Sequence, residues 1–204
     1  MSNVFKKTLI AIFLLCWLVL AINPVDRGIW MLENVLVVSV FPVVLWLDKR
    51  YVFNNLTFLS LTLFVILHLF GANTTYNAMS YFNWFSDWLG LQRNYYDQVI
   101  HFLFGLMVFA SFFEIFYHQG HSRRLSYLVA LLFITAIGSW YEILEWLAMV
   151  LFCPGTELEC FEGVTQGDLW DTQKDMAYAV VGASIAMLMH SMWGKRRQSD
   201  IQLR

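Results

Sequence analysis

Apolar side chains fill this sequence in six long stretches, at residues 4–22, 29–47, 56–72, 98–117, 125–152 and 175–193. A helix needs about 20 such residues to cross ~30 Å of hydrocarbon. Lipid offers a backbone amide no partner, so a spanning segment is a helix or part of a closed barrel. Period-2 alternation is absent, which excludes the barrel. The pattern predicts an all-α, polytopic membrane bundle of six transmembrane helices, forming a single integral domain over residues 1–204.

Composition agrees. With 59% hydrophobic and 14% charged residues, the chain has too few charges to solvate a water-soluble domain. No basic stripe for nucleic acid is present, and no Walker loop, dinucleotide fingerprint, G-x-S-x-G elbow or H-E-x-x-H helix. Matched Gly/Pro breaks of an inverted-repeat transporter are missing too, Pro42 being a single kink candidate.

The basic residues set the orientation. Ten of the thirteen Lys and Arg residues fall on one side, from Lys6, Lys7, Lys49 and Arg50 to the tail after Lys195. Loops on the cytoplasmic side retain such residues, so both termini are expected inside. An even number of spans requires the same. The first span is expected to stay as an anchor, because Ala21-Ile22-Asn23-Pro24 is a poor signal-cleavage site.

The two long connections, 73–97 and 153–174, then lie outside. In the first, Tyr81, Phe82, Trp84, Phe85, Trp88 and Leu89 recur at helical spacing, which predicts a short interfacial helix before the fourth span. An aromatic belt on an ordinary loop is the alternative. In the second, Cys153 and Cys160 flank a turn and are expected to form a disulfide on an oxidising face, with two free thiols as the alternative. Cys16 is read as packing.

Charge changes the picture most. Outside stand twelve acids against three bases, Arg27, Arg93 and Lys174. Acids contribute little to orientation, so topology does not explain the excess. Three clusters carry it. Arg93, Asp97 and His101 fall at i, i+4 and i+8, on one face of a helix, and Gly105 continues that face. Glu142 and Glu145, next to Tyr141, are i, i+3 neighbours near the outer end of the fifth span. Asp168, Asp171 and Asp175 share a face if the sixth helix starts at Asp168, after a tight turn at Gly167.

All three clusters reach similar depth. A mid-membrane charge costs about 2.5–3.5 kcal/mol, so several acids require a bound cation, shared protons or a cationic ligand. Carboxylates with one imidazole suit Mg²⁺, Mn²⁺, Zn²⁺ or iron. The expected metal ligands are Asp97, His101, Glu142, Glu145, Asp168, Asp171 and Asp175. Glu142, Glu145 and His101 are the expected catalytic groups, with Arg93 and Tyr141 holding substrate. Metal-assisted hydrolysis or group transfer on a lipid-linked or envelope substrate is the leading reading. A proton-coupled carrier or ion pathway, and a structural or partner-binding subunit, remain open. His68 is read as hydrogen-bonded packing, with membership of the site as the alternative. Glu114 and His118 are expected to pair or snorkel at the inner end of the fourth span.

At these clusters the chain resembles the uncharacterised bacterial YjdF-type inner-membrane proteins. The resemblance rests on Arg93-x-x-x-Asp97-x-x-x-His101-Phe102-x-x-Gly105, on Tyr141-Glu142-x-x-Glu145-Trp146, and on Gln166-Gly167-Asp168-x-Trp170-Asp171-x-Gln173-x-Asp175-Met176. It runs over nearly the whole length. It implies a multi-pass protein of the bacterial inner membrane in contact with the lipid bilayer, and it carries no catalytic role across.

Overall fold

A computed structural model of the chain describes residues 4–76, 80–91, 93–152, 155–156, 159 and 165–202. Cys153 and Cys160 lie outside the described residues. Among those described there is no strand, and seven helices follow one another: α1 (Val4–Leu20), α2 (Arg27–Tyr51), α3 (Asn55–Asn73), α4 (Ser80–Trp88), α5 (Tyr96–His118), α6 (Arg123–Phe152) and α7 (Asp171–Gln202). The all-α expectation holds. Four of the helices, α2, α3, α5 and α6, are long and apolar enough to cross a membrane.

Local chemistry fixes several helix ends. Asp26 caps α2 by accepting a hydrogen bond from the Ile29 amide, and Asn54 caps α3 by accepting one from the Thr57 amide. At the other end of α2, Val52 takes a left-handed conformation (φ 54°) and its amide closes on the Asp48 carbonyl. Pro42 sits inside α2 and does not end it.

The bundle is organised around α5, which packs most extensively against α7 and next against α6 and α3. Its contact with α7 depends on two glycines facing opposite ways. A Cβ on Gly105 would overlap the Ala179 carbonyl, and a Cβ on Gly182 would overlap the Phe102 carbonyl. Each helix thus lends the other a notch, and the two backbones meet directly. Ala179, Ala183 and Ala186 line the same seam, all buried. Lipid tails are as apolar as the side chains, so close van der Waals packing by small residues holds such helices together. Gly105, on the face that the sequence assigns to Asp97 and His101, admits α7.

One end of the bundle is basic and is tied by hydrogen bonds. Lys6 on α1 is buried and reaches Asp48 at 2.5 Å and the Phe53 carbonyl at 2.5 Å. Glu114 does not pair with His118, contrary to the i, i+4 expectation. It turns to the start of α3, where it accepts from the Asn54 amide (2.9 Å), from the Asn54 side chain and from the Thr57 hydroxyl (2.6 Å). The free amides at a helix N-terminus favour a carboxylate, which explains the preference. His118 instead bonds the Tyr51 carbonyl at 2.6 Å.

The outward faces carry large apolar side chains, among them Leu18, Val35, Val38, Trp46, Leu132 and Leu151, all exposed. A water-soluble protein seldom shows such a surface, whereas lipid contact requires it. Replacing Gly105 or Gly182 by leucine is expected to force α5 and α7 apart. Overpacking costs about 1–3 kcal/mol, and more where backbone must move, so thermal unfolding in detergent should drop by many degrees. An unchanged melting temperature in both variants would refute the direct backbone crossing.

Candidate functional site

Antiparallel succession brings the starts of α2, α5 and α7 and the ends of α3 and α6 to one end of the bundle. Each contributes ionisable side chains there. Asp97 and His101 come from the first turns of α5, Glu142 and Glu145 from the last three turns of α6, and Asp171 and Asp175 from the first two turns of α7. The three clusters read from the sequence therefore meet.

At their centre is His101, 5% exposed. Its Nε2 lies 3.3 Å from Glu142 Oε1 and 3.7 Å from Asp97 Oδ1. Ligand atoms of Asp97, His101 and Asp175 all fall within 4.8 Å of one another, as do those of His101, Glu142 and Glu145. The Tyr141 ring meets the imidazole edge-on at 5.6 Å between centroids. Glu142 and Asp175 are 4% and 1% exposed, and Glu142 Oε1 and Asp175 Oδ1 have no hydrogen-bond partner among the described residues. A buried polar atom without a partner costs roughly 1–3 kcal/mol, more when charged.

Arg93 and Asp168 stand apart from the arrangement expected of them. Arg93 precedes α5, which begins at Tyr96, so it does not share a helical face with Asp97 and His101. From the loop it reaches Asp168 Oδ2 at 3.0 Å and Asp171 Oδ1 at 2.7 Å. Helix α7 starts at Asp171 rather than Asp168 because the chain turns through left-handed Gln166 and Gly167. Asp168 then caps the Trp170 amide and binds Lys174 at 2.5 Å. Asp171 also accepts from Gln98 at 2.8 Å. The two bases are thereby engaged by Asp168 and Asp171. Arg93 braces the loop, and its two terminal nitrogens face protein carboxylates.

Two further groups join from α2 and α3. Glu33 accepts a hydrogen bond from Tyr141 at 2.9 Å and lies 3.8 Å from His68 Nε2. His68 is buried, and its Nδ1 bonds the Tyr76 hydroxyl at 2.8 Å. Thr75 and Tyr76 both adopt left-handed backbone (φ 54° and 56°), a conformation costing non-glycine residues about 1–3 kcal/mol. That turn folds Tyr76 back over α3 against Gly71, where a Cβ would overlap its ring. Glu33 is one of the twelve acids expected outside, and membership of the site is the alternative reading of His68. Both are lone ionisable residues in apolar spans, and alternation of direction alone puts them at the acidic end. Tyr76 gives no such signal, because its place depends on a strained turn.

A helical bundle with apolar helices of spanning length, apolar outer faces and ionisable groups confined to its interior and ends is a multi-pass α-helical membrane protein. The family described as "Predicted membrane protein (DUF2238)" matches residues 5–196, and the chain belongs to that family. It is 34% identical over 166 residues to "Inner membrane protein YjdF" of Escherichia coli (strain K12), covering 79% of this chain and 77% of that protein. The bacterial inner membrane is accordingly its location, as the resemblance implied. No solved structure matches the chain.

Outside the apolar spans, Asp168 offers a test of the brace. The hydrogen bond from Lys174, and then the one from the Trp170 amide, hold its carboxyl below the ordinary 3.8. A depressed folded value means that the stabilisation is fully present above 3.8 and is lost as pH falls through the lower folded value. Asp168→Asn is expected to lower the melting temperature by a constant amount at neutral pH and to flatten the acid limb, where its profile converges on that of the unsubstituted protein. An acid limb identical to that of the unsubstituted protein would show that this contact does not stabilise the fold.

Proposed function

We propose that the chain is a six-span inner-membrane protein, both termini cytoplasmic, whose acidic end faces the periplasm. In that reading the carboxylate–histidine centre binds divalent metal for hydrolysis or group transfer on a lipid-linked or envelope substrate. One observation carries it: five acids surround two histidines, and among the described residues none of the five has a Lys or Arg partner. They are Glu33, Asp97, Glu142, Glu145 and Asp175, since Arg93 and Lys174 are engaged by Asp168 and Asp171. Uncompensated carboxylates do not stay ionised together in a low dielectric, so the centre takes up cations or protons. Two carboxylates and an imidazole that can share one coordination sphere favour Mg²⁺, Mn²⁺, Zn²⁺ or iron.

Supporting the six spans, α1 has 17 residues, at the lower bound of about 17–25 for crossing hydrocarbon. In α7 no charged residue occurs from Met176 to Met192. Helix α4 exposes Trp84 and Trp88 and buries Ser86, as a helix lying in the headgroup layer would. A lipid-linked substrate would arrive along that surface. Bound metal supplies an activated water or a polarised substrate oxygen. His101 or a neighbouring carboxylate then moves the proton. Tyr141, already donating to Glu33, orients the second row of groups more than it contacts substrate.

Thermal stability of chelator-stripped protein tests the centre. Adding one of the four metals at about a hundredfold over its dissociation constant stabilises by about 2.7 kcal/mol. A rise in melting temperature of several degrees is expected for the unsubstituted protein and not for Asp175→Asn or Glu142→Gln. No rise with any of the four metals would remove the metal reading.

A proton pathway is the second reading, favoured by the line Tyr76, His68, Glu33 and Tyr141 leading from α3 towards His101. It is expected to give proton flux in liposomes that Tyr141→Phe abolishes. Flux that is absent, or untouched by that change, would eliminate it.

A further inference from the structure

The metal centre proposed above is a single acidic cluster, but its ligands do not form a single set. Asp97, His101 and Asp175 make one group, and His101, Glu142 and Glu145 make another. Ligands on one ion lie within about twice a metal–oxygen bond, roughly 4–5 Å for bonds of about 2.0–2.6 Å, and the atoms of each group fall within 4.8 Å of one another. Only His101 belongs to both. Each group also contains one buried carboxylate oxygen without a hydrogen-bond partner, Asp175 Oδ1 in the first and Glu142 Oε1 in the second. Those residues are 1% and 4% exposed, so water does not satisfy them by simple exposure at the surface. Orphaned oxygens in both groups point to two positions where a cation is wanted.

We infer that the centre is dinuclear, holding two divalent cations side by side, one on Asp97 and Asp175 and one on Glu142 and Glu145, with His101 between them. The inference rests on the metal reading and sharpens it. Charge decides the number. Glu33 is hydrogen-bonded to Tyr141 and sits beside His68, and Asp168 and Asp171 belong to Arg93 and Lys174. The two ligand groups hold four carboxylates, carrying four negative charges when ionised, and Glu33 lies in neither group. Two divalent ions neutralise them, whereas one leaves two buried negative charges uncompensated. A neutral imidazole gives one nitrogen to one ion, so His101 completes one sphere only. A carboxylate shared between the two groups would complete the other sphere, the usual device where inward-facing acids of a helix bundle hold a metal pair. Gln98, buried and with its Oε1 also unpartnered, adds a neutral acceptor on the α5 side. A pair of ions held by these residues would supply Lewis-acid stabilisation of both the attacking and the leaving oxygen of a displacement. The substrate class this implies is a phosphate ester or anhydride.

Metal content of the purified full-length protein, saturated with Mn²⁺ and freed of excess ion, tests the pair. Two ions per chain are expected, with a spin-coupled paramagnetic resonance signal. Glu142→Gln/Glu145→Gln and Asp97→Asn/Asp175→Asn are each expected to keep one ion and to lose the coupling. One uncoupled ion per chain in the unsubstituted protein overturns the pair and leaves a mononuclear centre standing. No bound ion overturns both readings. Either double variant retaining two coupled ions overturns the assignment of ligands.

Discussion

Everything at the acidic end depends on the cost of keeping carboxylates out of water. Six of them, from α2, α5, α6 and α7, enter a region where the described structure offers one guanidinium and one exposed ammonium. Isolated buried charge costs several kcal/mol per group, far beyond the net stability that a bundle this size commands. The fold uses its two bases at the edge, where Arg93 joins the loop before α5 to the start of α7. It leaves the interior of the cluster to hydrogen bonds that only partly satisfy it. A centre of that kind is stable as a holder of cations or protons and strained otherwise.

Packing makes the concentration of acids attainable. Gly105 and Gly182 let α5 and α7 touch along their backbones, which carries Asp97 and His101 on one helix up to Asp171 and Asp175 on the other. Helices held apart by ordinary side chains, about 8–10 Å between axes, would not bring those groups together as closely. The glycines therefore belong to the site as much as its ligands do, although neither lies in it. The strained pair Thr75 and Tyr76 acts similarly on α3, returning a hydroxyl to His68 that the helix could not supply.

Much of this was legible in the sequence, because in a membrane protein the period of apolar stretches and the rarity of charge are strong signals. The helices, their approximate limits, the meeting of the three clusters and the role of Gly105 all follow from spacing and alternation. Spacing failed where a helix did not extend as far as its pattern. Arg93 and Asp168 have the right period for α5 and α7, yet both fall in the preceding turns, and their side chains meet each other instead. The pairing of Glu114 with His118 failed for a different reason: i, i+4 spacing permits a contact, but the open amides of α3 compete for the same carboxylate and win. Glu33 and His68 were undervalued because a single ionisable residue carries no periodicity.

Glu114 also shows what the acidic end lacks. It is as buried as Glu142, at 6% against 4% exposed. At the basic end the fold gives that carboxylate an amide, a side-chain amide and a hydroxyl, all donors, and both of its oxygens are used. The same chain can therefore satisfy a buried acid completely with neutral donors. At the acidic end Gln98 donates to Asp171 and Tyr141 to Glu33, yet Glu142 Oε1, 3.3 Å from the His101 nitrogen, and Asp175 Oδ1 go without a hydrogen bond. A network evolved only to lock helices together would gain by satisfying those two oxygens, each worth about 1–3 kcal/mol. Leaving them open costs stability and leaves two ligand atoms free, which is what a site for exchangeable cations needs.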